Sequence, residues 1–201
     1  MPDFIDEGRR VIEHEAQALA ALAGQLGEEF ERAAQLISSC SGRTIVTGVG
    51  KSGIVGRKIA ASLASLGTPA FFVHAAEAVH GDLGMITSND VVIALSNSGE
   101  TAEVVHVAPL MRRGAAALIA ITSRPNSTLA RLADVHLDIG VREEADRRGL
   151  APTTSAIATM ALGDALALAL AEARSFTREQ FHAYHPGGSL GKQLQEEQDH
   201  G

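Results

Sequence analysis

From Thr44 onward the chain alternates short apolar runs with longer stretches in which apolar residues return every three or four positions. The runs are TIVTGV at 44–49, AFFV at 70–73, VVIALS at 91–96, AALIAIT at 116–122 and VHLDI at 135–139. Each is preceded within two residues by glycine, proline or aspartate. Runs of this length, apolar on both faces, predict five strands buried from both sides. The stretches 53–66, 75–83, 102–113 and 127–132 predict helices or helical turns between them. This alternation predicts βαβ units around a parallel sheet, an α/β fold with right-handed crossovers.

Upstream, helical spacing of Phe4, Ile5, Val11, Ile12, Leu19, Leu22 and Leu26 predicts one helix over 4–26, and 28–38 predicts a second. Residues 1–42 hold eight acidic and three basic side chains, so a DNA-reading helix-turn-helix is not expected there; packing or oligomerisation is. After the fifth strand come a charged loop, VREEADRRGL, a long Ala/Leu helix over 152–173, a short helix over 177–182, and HPGGSLGKQL, whose proline and glycines favour an irregular loop.

Composition narrows the functional classes. With 201 residues, 45% of them hydrophobic and 20% charged, one globular domain is expected. A net charge of −7 argues against a nucleic-acid partner. Cys40 is the only cysteine, which excludes an intrachain disulfide and a cysteine-based metal cluster; with no signal-peptide pattern at the N-terminus, a cytoplasmic location is expected. The most membrane-like segment, 155–173, is interrupted by Asp164, so a buried helix and no membrane partner are expected. Aromatic residues are 3% of the chain, leaving few platforms for stacking a nucleotide base.

Three polar motifs stand at strand or helix ends. In TGVGKSG, Gly48, Gly50 and Gly53 satisfy the glycine spacing of a dinucleotide loop, but Lys51 would stand where a pyrophosphate approaches, and a P-loop would need its first glycine at Ile45. What remains is a glycine-permitted turn that offers backbone N–H groups, the Lys51 cation and the Ser52 hydroxyl to a small anion. SNSGET repeats this at the third strand: Ser96, Asn97, Ser98, Gly99, Glu100 and Thr101 form a candidate phosphate cradle, the simpler alternative being an N-cap. In APTTSA, Thr153, Thr154 and Ser155 are candidates for capping the long helix and for further sugar or phosphate contacts.

Together GVGKSG, VHAAEAVHGDLGM, IALSNSGETAEV, ITSRPNSTLARLADVHLDI, GLAPTTSA and HPGGSLGK resemble the sugar isomerase (SIS) domain of the D-arabinose 5-phosphate isomerases. The resemblance implies a three-layer αβα sandwich with a five-stranded parallel sheet and a homotetramer with sites at subunit contacts. It implies interconversion of D-ribulose 5-phosphate and D-arabinose 5-phosphate through an enediol, the first step toward Kdo for lipopolysaccharide or capsule. No organic cofactor and no metal are expected. Lys51, Glu103, Glu144, His80 and His185 match the family's functional residues, with Glu103 or His80 favoured for the carbon-bound proton and His185 reaching in from another subunit. The expected organisation is N-terminal helices over 1–42, an SIS domain over 43–194, a tail over 195–201, and no CBS domains of the kind many relatives carry after HPGG. Alternatives are another phosphosugar isomerase, a non-catalytic sugar-phosphate sensor and, more remotely, a dinucleotide-dependent oxidoreductase.

Overall fold

The computed structural model describes residues 3–186. The later part of HPGGSLGK, the end of the expected SIS domain and the 195–201 tail lie outside the described residues. In chain order the elements are α1 (Phe4–Gly24), α2 (Glu28–Ser38), β1 (Thr44–Gly48), α3 (Gly50–Ser65), β2 (Ala70–His74), α4 (Ala75–Ala78), a 3-10 turn (Asp82–Met85), β3 (Val91–Leu95), α5 (Ala102–Gly114), β4 (Ala117–Thr122), α6 (Thr128–Leu132), β5 (Val135–Asp138), α7 (Thr154–Ala173) and α8 (Arg178–Tyr184).

The five strands are parallel and run in the order β2-β1-β3-β4-β5. Residues within each strand alternate between two cores. Val91, Ile93 and Leu95 of β3 join Val46, Ile119 and Ile121 on the face covered by α1, α2, α3 and α7. Val92 and Ala94 join Ile45, Leu118 and Ala120 on the face covered by α4, α5 and α6. Burial on both faces explains why the strands read as continuous apolar runs, and the result is the expected three-layer sandwich.

Two sequence expectations are corrected. The helix expected from residue 53 begins at Gly50, so Lys51 and Ser52 occupy its first turn; Gly50 opens it at φ +55°, a conformation glycine adopts without the steric penalty of a Cβ. The stretch 75–83 does not form one helix: α4 stops at Ala78, and Gly81 at φ +126° redirects the chain into the 3-10 turn.

By length and composition α7 could cross a membrane, but half of its most apolar window is buried within the protein. It packs on α3 so closely that a Cβ on Gly163 would lie 2.4 Å from Ile59, and its Asp164 pairs with Lys58 of α3. It serves this fold as a core helix.

Candidate active site

The chain leaves β1 toward β2 on one side and returns to place β3 on the other side of β1, so the strand order reverses between β1 and β3. In open α/β sheets the carboxyl edge at such a reversal is where ligands bind. The turns into α3 and α5 flank that point.

At α3, the N-cap Val49 is extended and supplies no side-chain cap. The first turn contains no acidic residue, and Lys51 is exposed with no ion pair among the described residues. The free N–H groups and the helix dipole therefore favour an anion here.

The SNSGET turn is held from inside. Ser96 is 2% exposed; its hydroxyl accepts from the Gly99 N–H at 3.0 Å and pairs with the Thr101 hydroxyl at 2.8 Å. Gly99 sits at φ +65°, and a Cβ there would lie 2.0 Å from Ser127 Oγ. The Ser98 hydroxyl accepts from the Glu100 N–H at 3.2 Å, while the Glu100 carboxylate accepts from the Thr128 N–H at 2.7 Å. That backbone bond, aided by the Thr128 hydroxyl, holds the Glu100 carboxyl below its ordinary range. Thr101 precedes α5 without capping it through its side chain, contrary to the simplest reading of this motif as an N-cap. Ser96, Gly99, Glu100 and Thr101 thus shape the turn, and Asn97 and Ser98 are left exposed on it.

Glu144, rather than the hydroxyls expected from APTTSA, caps α7. Its Oε2 accepts from the Thr153 N–H at 2.8 Å, the Ser155 N–H at 3.1 Å and the Thr153 hydroxyl at 3.1 Å, and its Oε1 accepts from the Ser155 hydroxyl. The Thr153 and Thr154 hydroxyls instead accept from the Ala145 N–H, each at 3.0 Å. Burial pushes the Glu144 carboxyl up, but these donors together pull it below the usual range. A carboxylate so stabilised as the anion is a weak proton acceptor.

The three motifs meet. Lys51, Ser52, Asn97 and Ser155 share the wall of a cavity of about 50 Å³. Asn97 and Pro152 also line a neighbouring cavity of about 680 Å³ that contains Glu144, Arg10, His14, Ser123, Arg124 and Arg142. The last five were not legible as site residues. Arg124 follows β4 at the same sheet edge, the one signal that reading every strand end would have caught. Ser123 is tied to the SNSGET turn, its N–H and hydroxyl both donating to the Asn97 carbonyl at 2.9 Å.

His80, Glu103 and His185 line neither cavity within the single chain. Glu103 is exposed in the first turn of α5, and His80 is exposed in the turn after α4. His185 stacks on Phe181 at 4.0 Å, with Nδ1 2.8 Å from the Phe181 carbonyl. Its neighbour Tyr184 lines a cavity with Arg43, Pro69 and Ala70, which lie at the amino edge of β1 and β2, opposite the loops just described. Among the described residues no group of three or more His, Cys, Asp or Glu is placed to hold a metal ion.

The SIS domain model matches residues 36–169. The arabinose 5-phosphate isomerase KdsD of Pseudomonas aeruginosa is 54% identical over 192 residues, which are 96% of this chain and 59% of that protein. The enzyme of the same name from Escherichia coli K12 is 52% identical over 192 residues, covering 58% of its length. The chain therefore spans a little under three fifths of the curated relatives it matches. A solved Escherichia coli CFT073 protein in complex with arabinose 5-phosphate superposes with a TM-score of 0.89 at 44% identity, covering 92% of this chain and all of that one.

Proposed function

The chain belongs to the SIS domain family, and from that premise we propose that it is an aldose–ketose isomerase interconverting D-ribulose 5-phosphate and D-arabinose 5-phosphate. The observation that carries this reading is the convergence of Lys51, Ser52, Asn97 and Ser155 on one cavity at the strand-order reversal. Relatives over 50% identical are arabinose 5-phosphate isomerases by name, which supports the aldose half of that pair. Uncapped α3, with no acid in its first turn, supplies N–H donors and a favourable dipole for a phosphate dianion, uncapped α5 adds N–H donors, and Lys51 supplies the cation that an enediolate needs.

In this proposal Asn97, Ser98 and Ser52 contact the sugar phosphate, and Gly50 and Gly99 allow the backbone to approach it. Ser96, Glu100 and Thr101 keep the turn in shape. Ser155 forms the wall on the α7 side, while Thr153 and Thr154, which line neither cavity, hold the Ala145 N–H of the Glu144 loop. The Glu144 carboxyl, already bound by four donors, orients that wall and stays ionised. Proton transfer between the two carbons then falls to Glu103 or His80, whose side chains have no such set of donors among the described residues. His185, at the opposite sheet edge in its own chain, would enter the site of a neighbouring subunit of a homotetramer. The reaction belongs in the cytoplasm as the first step toward Kdo, with no organic cofactor and no metal assigned to it.

The test is turnover of D-arabinose 5-phosphate by the purified chain, with chelator present and hexose 6-phosphates run in parallel. Conversion selective for the pentose and unaffected by chelator is expected. Glu103→Gln should lower turnover about 10²–10⁴-fold if Glu103 moves the carbon-bound proton; an unchanged rate assigns that step to His80. Tight binding of the sugar phosphate without conversion would overturn the isomerase reading in favour of a sensor.

A further inference from the structure

The loop that carries Glu144, residues 142–151, has little apolar anchorage: Ala145 is buried, whereas Arg147, Arg148, Gly149 and Leu150 are exposed. Polar tethers hold it instead: Arg142 pairs with Asp138 and donates to the Ser123 carbonyl, the Ala145 N–H donates to the Thr153 and Thr154 hydroxyls, and α1 supplies a further set. Arg10 Nη2 donates at 2.6 Å to the carbonyl of Ala145, the residue directly after Glu144. The same guanidinium forks onto Glu7, with Nε at 3.0 Å and Nη2 at 2.7 Å. The Glu7 carboxylate also accepts from Arg147, with Nε at 3.2 Å and Nη2 at 2.7 Å. One carboxylate thus orients two arginines, and through them α1 holds the loop on either side of Asp146, by Arg10 at Ala145 and by Glu7 at Arg147. The two arginines hold the Glu7 carboxyl down at about 2, so the pairing persists across the whole neutral and mildly acidic range. Ion pairs as exposed as these add little to global stability. Their consequence is local: they decide where the loop sits.

We propose that Arg10 is a positioning residue: by holding the Ala145 carbonyl it keeps Glu144 seated on the N-terminus of α7, and thereby keeps Ser155 and Pro152 at the cavity wall. Its effect on turnover rests on the isomerase reading; its effect on the loop does not. Lysine is not an adequate substitute, because a point ammonium on a flexible stem lacks the planar fork that serves Glu7 and the carbonyl together.

The experiment compares Arg10→Ala, Arg10→Lys and the control Arg9→Ala in the full chain. Arg9 pairs with Asp6 on the solvent side of the same helix. Two quantities are measured: hydrogen exchange at the Thr153 and Ser155 amides, which donate to Glu144, and steady-state turnover of D-arabinose 5-phosphate. Arg10→Ala should speed exchange at both amides and lower kcat about 10–100-fold, the scale expected when a site wall shifts by an ångström. KM should change less than about threefold, because no binding contact is removed. Arg10→Lys should restore only part of the loss, and Arg9→Ala should match the parent. Unchanged amide exchange in Arg10→Ala overturns the tether. Faster exchange with unchanged kcat overturns the catalytic consequence, as does a loss that vanishes when the rate is expressed per folded molecule. A parent chain inactive on the pentose phosphate overturns the isomerase reading, while the exchange measurement still decides the tether.

Discussion

The N-termini of α1 and α3 follow opposite rules. α1 begins as an isolated helix would favour: Asp3 accepts from the N–H groups of Ile5 at 3.0 Å and Asp6 at 3.1 Å, and Asp6 and Glu7 place negative charge in the first turn. α3 begins with a glycine at positive φ, has no side-chain cap and no acid in its first turn, and sets the Lys51 cation at the positive end of its dipole. Each of these choices costs α3 local stability. At the sheet edge between β1 and β3 they act together, because an arriving anion would bind the free N–H groups and neutralise the cation. α2 marks the boundary of the rule. It too lacks a side-chain cap, but Glu28, Glu29 and Glu31 offset its dipole, so it makes no comparable demand for a ligand. A departure from local preference that nothing nearby compensates is the signature of a site.

The largest effect expected from breaking this contrast is at Lys51. Lys51→Met should lower turnover about 10²–10³-fold by removing the charge that meets the enediolate. The same change should stabilise the fold by about 0.3–1 kcal/mol, because a cation leaves the positive end of α3. Kinetics and thermal unfolding on one preparation would then move in opposite directions; a loss of both would make Lys51 a structural residue.

A smaller effect is expected at α7, where the cap is a carboxylate brought from a distance. The folded Glu144 carboxyl lies below its unfolded value of 4.5, so its contribution is fully present above that range and is lost as pH falls through it. Glu144→Gln should cost about 1–2 kcal/mol at neutral pH. The gap between parent and variant should close as pH drops below the ordinary carboxylate range, and unfolding curves collected from pH 7 to pH 3 would show it. A gap independent of pH would mean that shape, and not charge, makes the cap.

The smallest effect belongs to α1. Asp3→Ala should cost about 0.5–1 kcal/mol of stability through the lost cap, with turnover altered less than about twofold. Denaturant titration and the same kinetic assay check both halves of that statement. A large activity loss at Asp3 would erase the distinction between the two helix starts.

How much of this was legible in the chain depended on the range of the forces involved. The five strands were legible because burial on both faces demands unbroken apolar runs, and VVIAL and ALIAIT satisfy that demand without any reference to their neighbours. The two glycine-bearing turns, GKSG and SNSGE, were legible because positive φ and close packing restrict the choice of residue, as the 2.0 Å approach of a Gly99 Cβ to Ser127 shows. The start of α3 was read three residues late, since a glycine can open a helix as well as precede one.

The capping of α7 was read wrongly in kind. Three hydroxyls at its start suggested local capping, whereas Glu144 arrives from nine residues upstream across a closed loop. Arg10 and His14 gave no signal at all, because their place beside residues 143–145 depends on how α1 lies over the loop. His80 and His185 matched family motifs in the sequence, yet the single chain sets them apart from the cavity that Lys51 lines.

By itself, then, the sequence determined the elements, the parallel sheet, and the two glycine turns at its carboxyl edge, because periodicity, burial and backbone sterics act over a few residues at a time. Only the tertiary structure decided which carboxylate caps α7, which hydroxyls are consumed in holding the SNSGET turn, and which arginines tether the Glu144 loop. Those are matters of hydrogen-bond distance between groups far apart in the chain, and such distances exist only once the layers have packed.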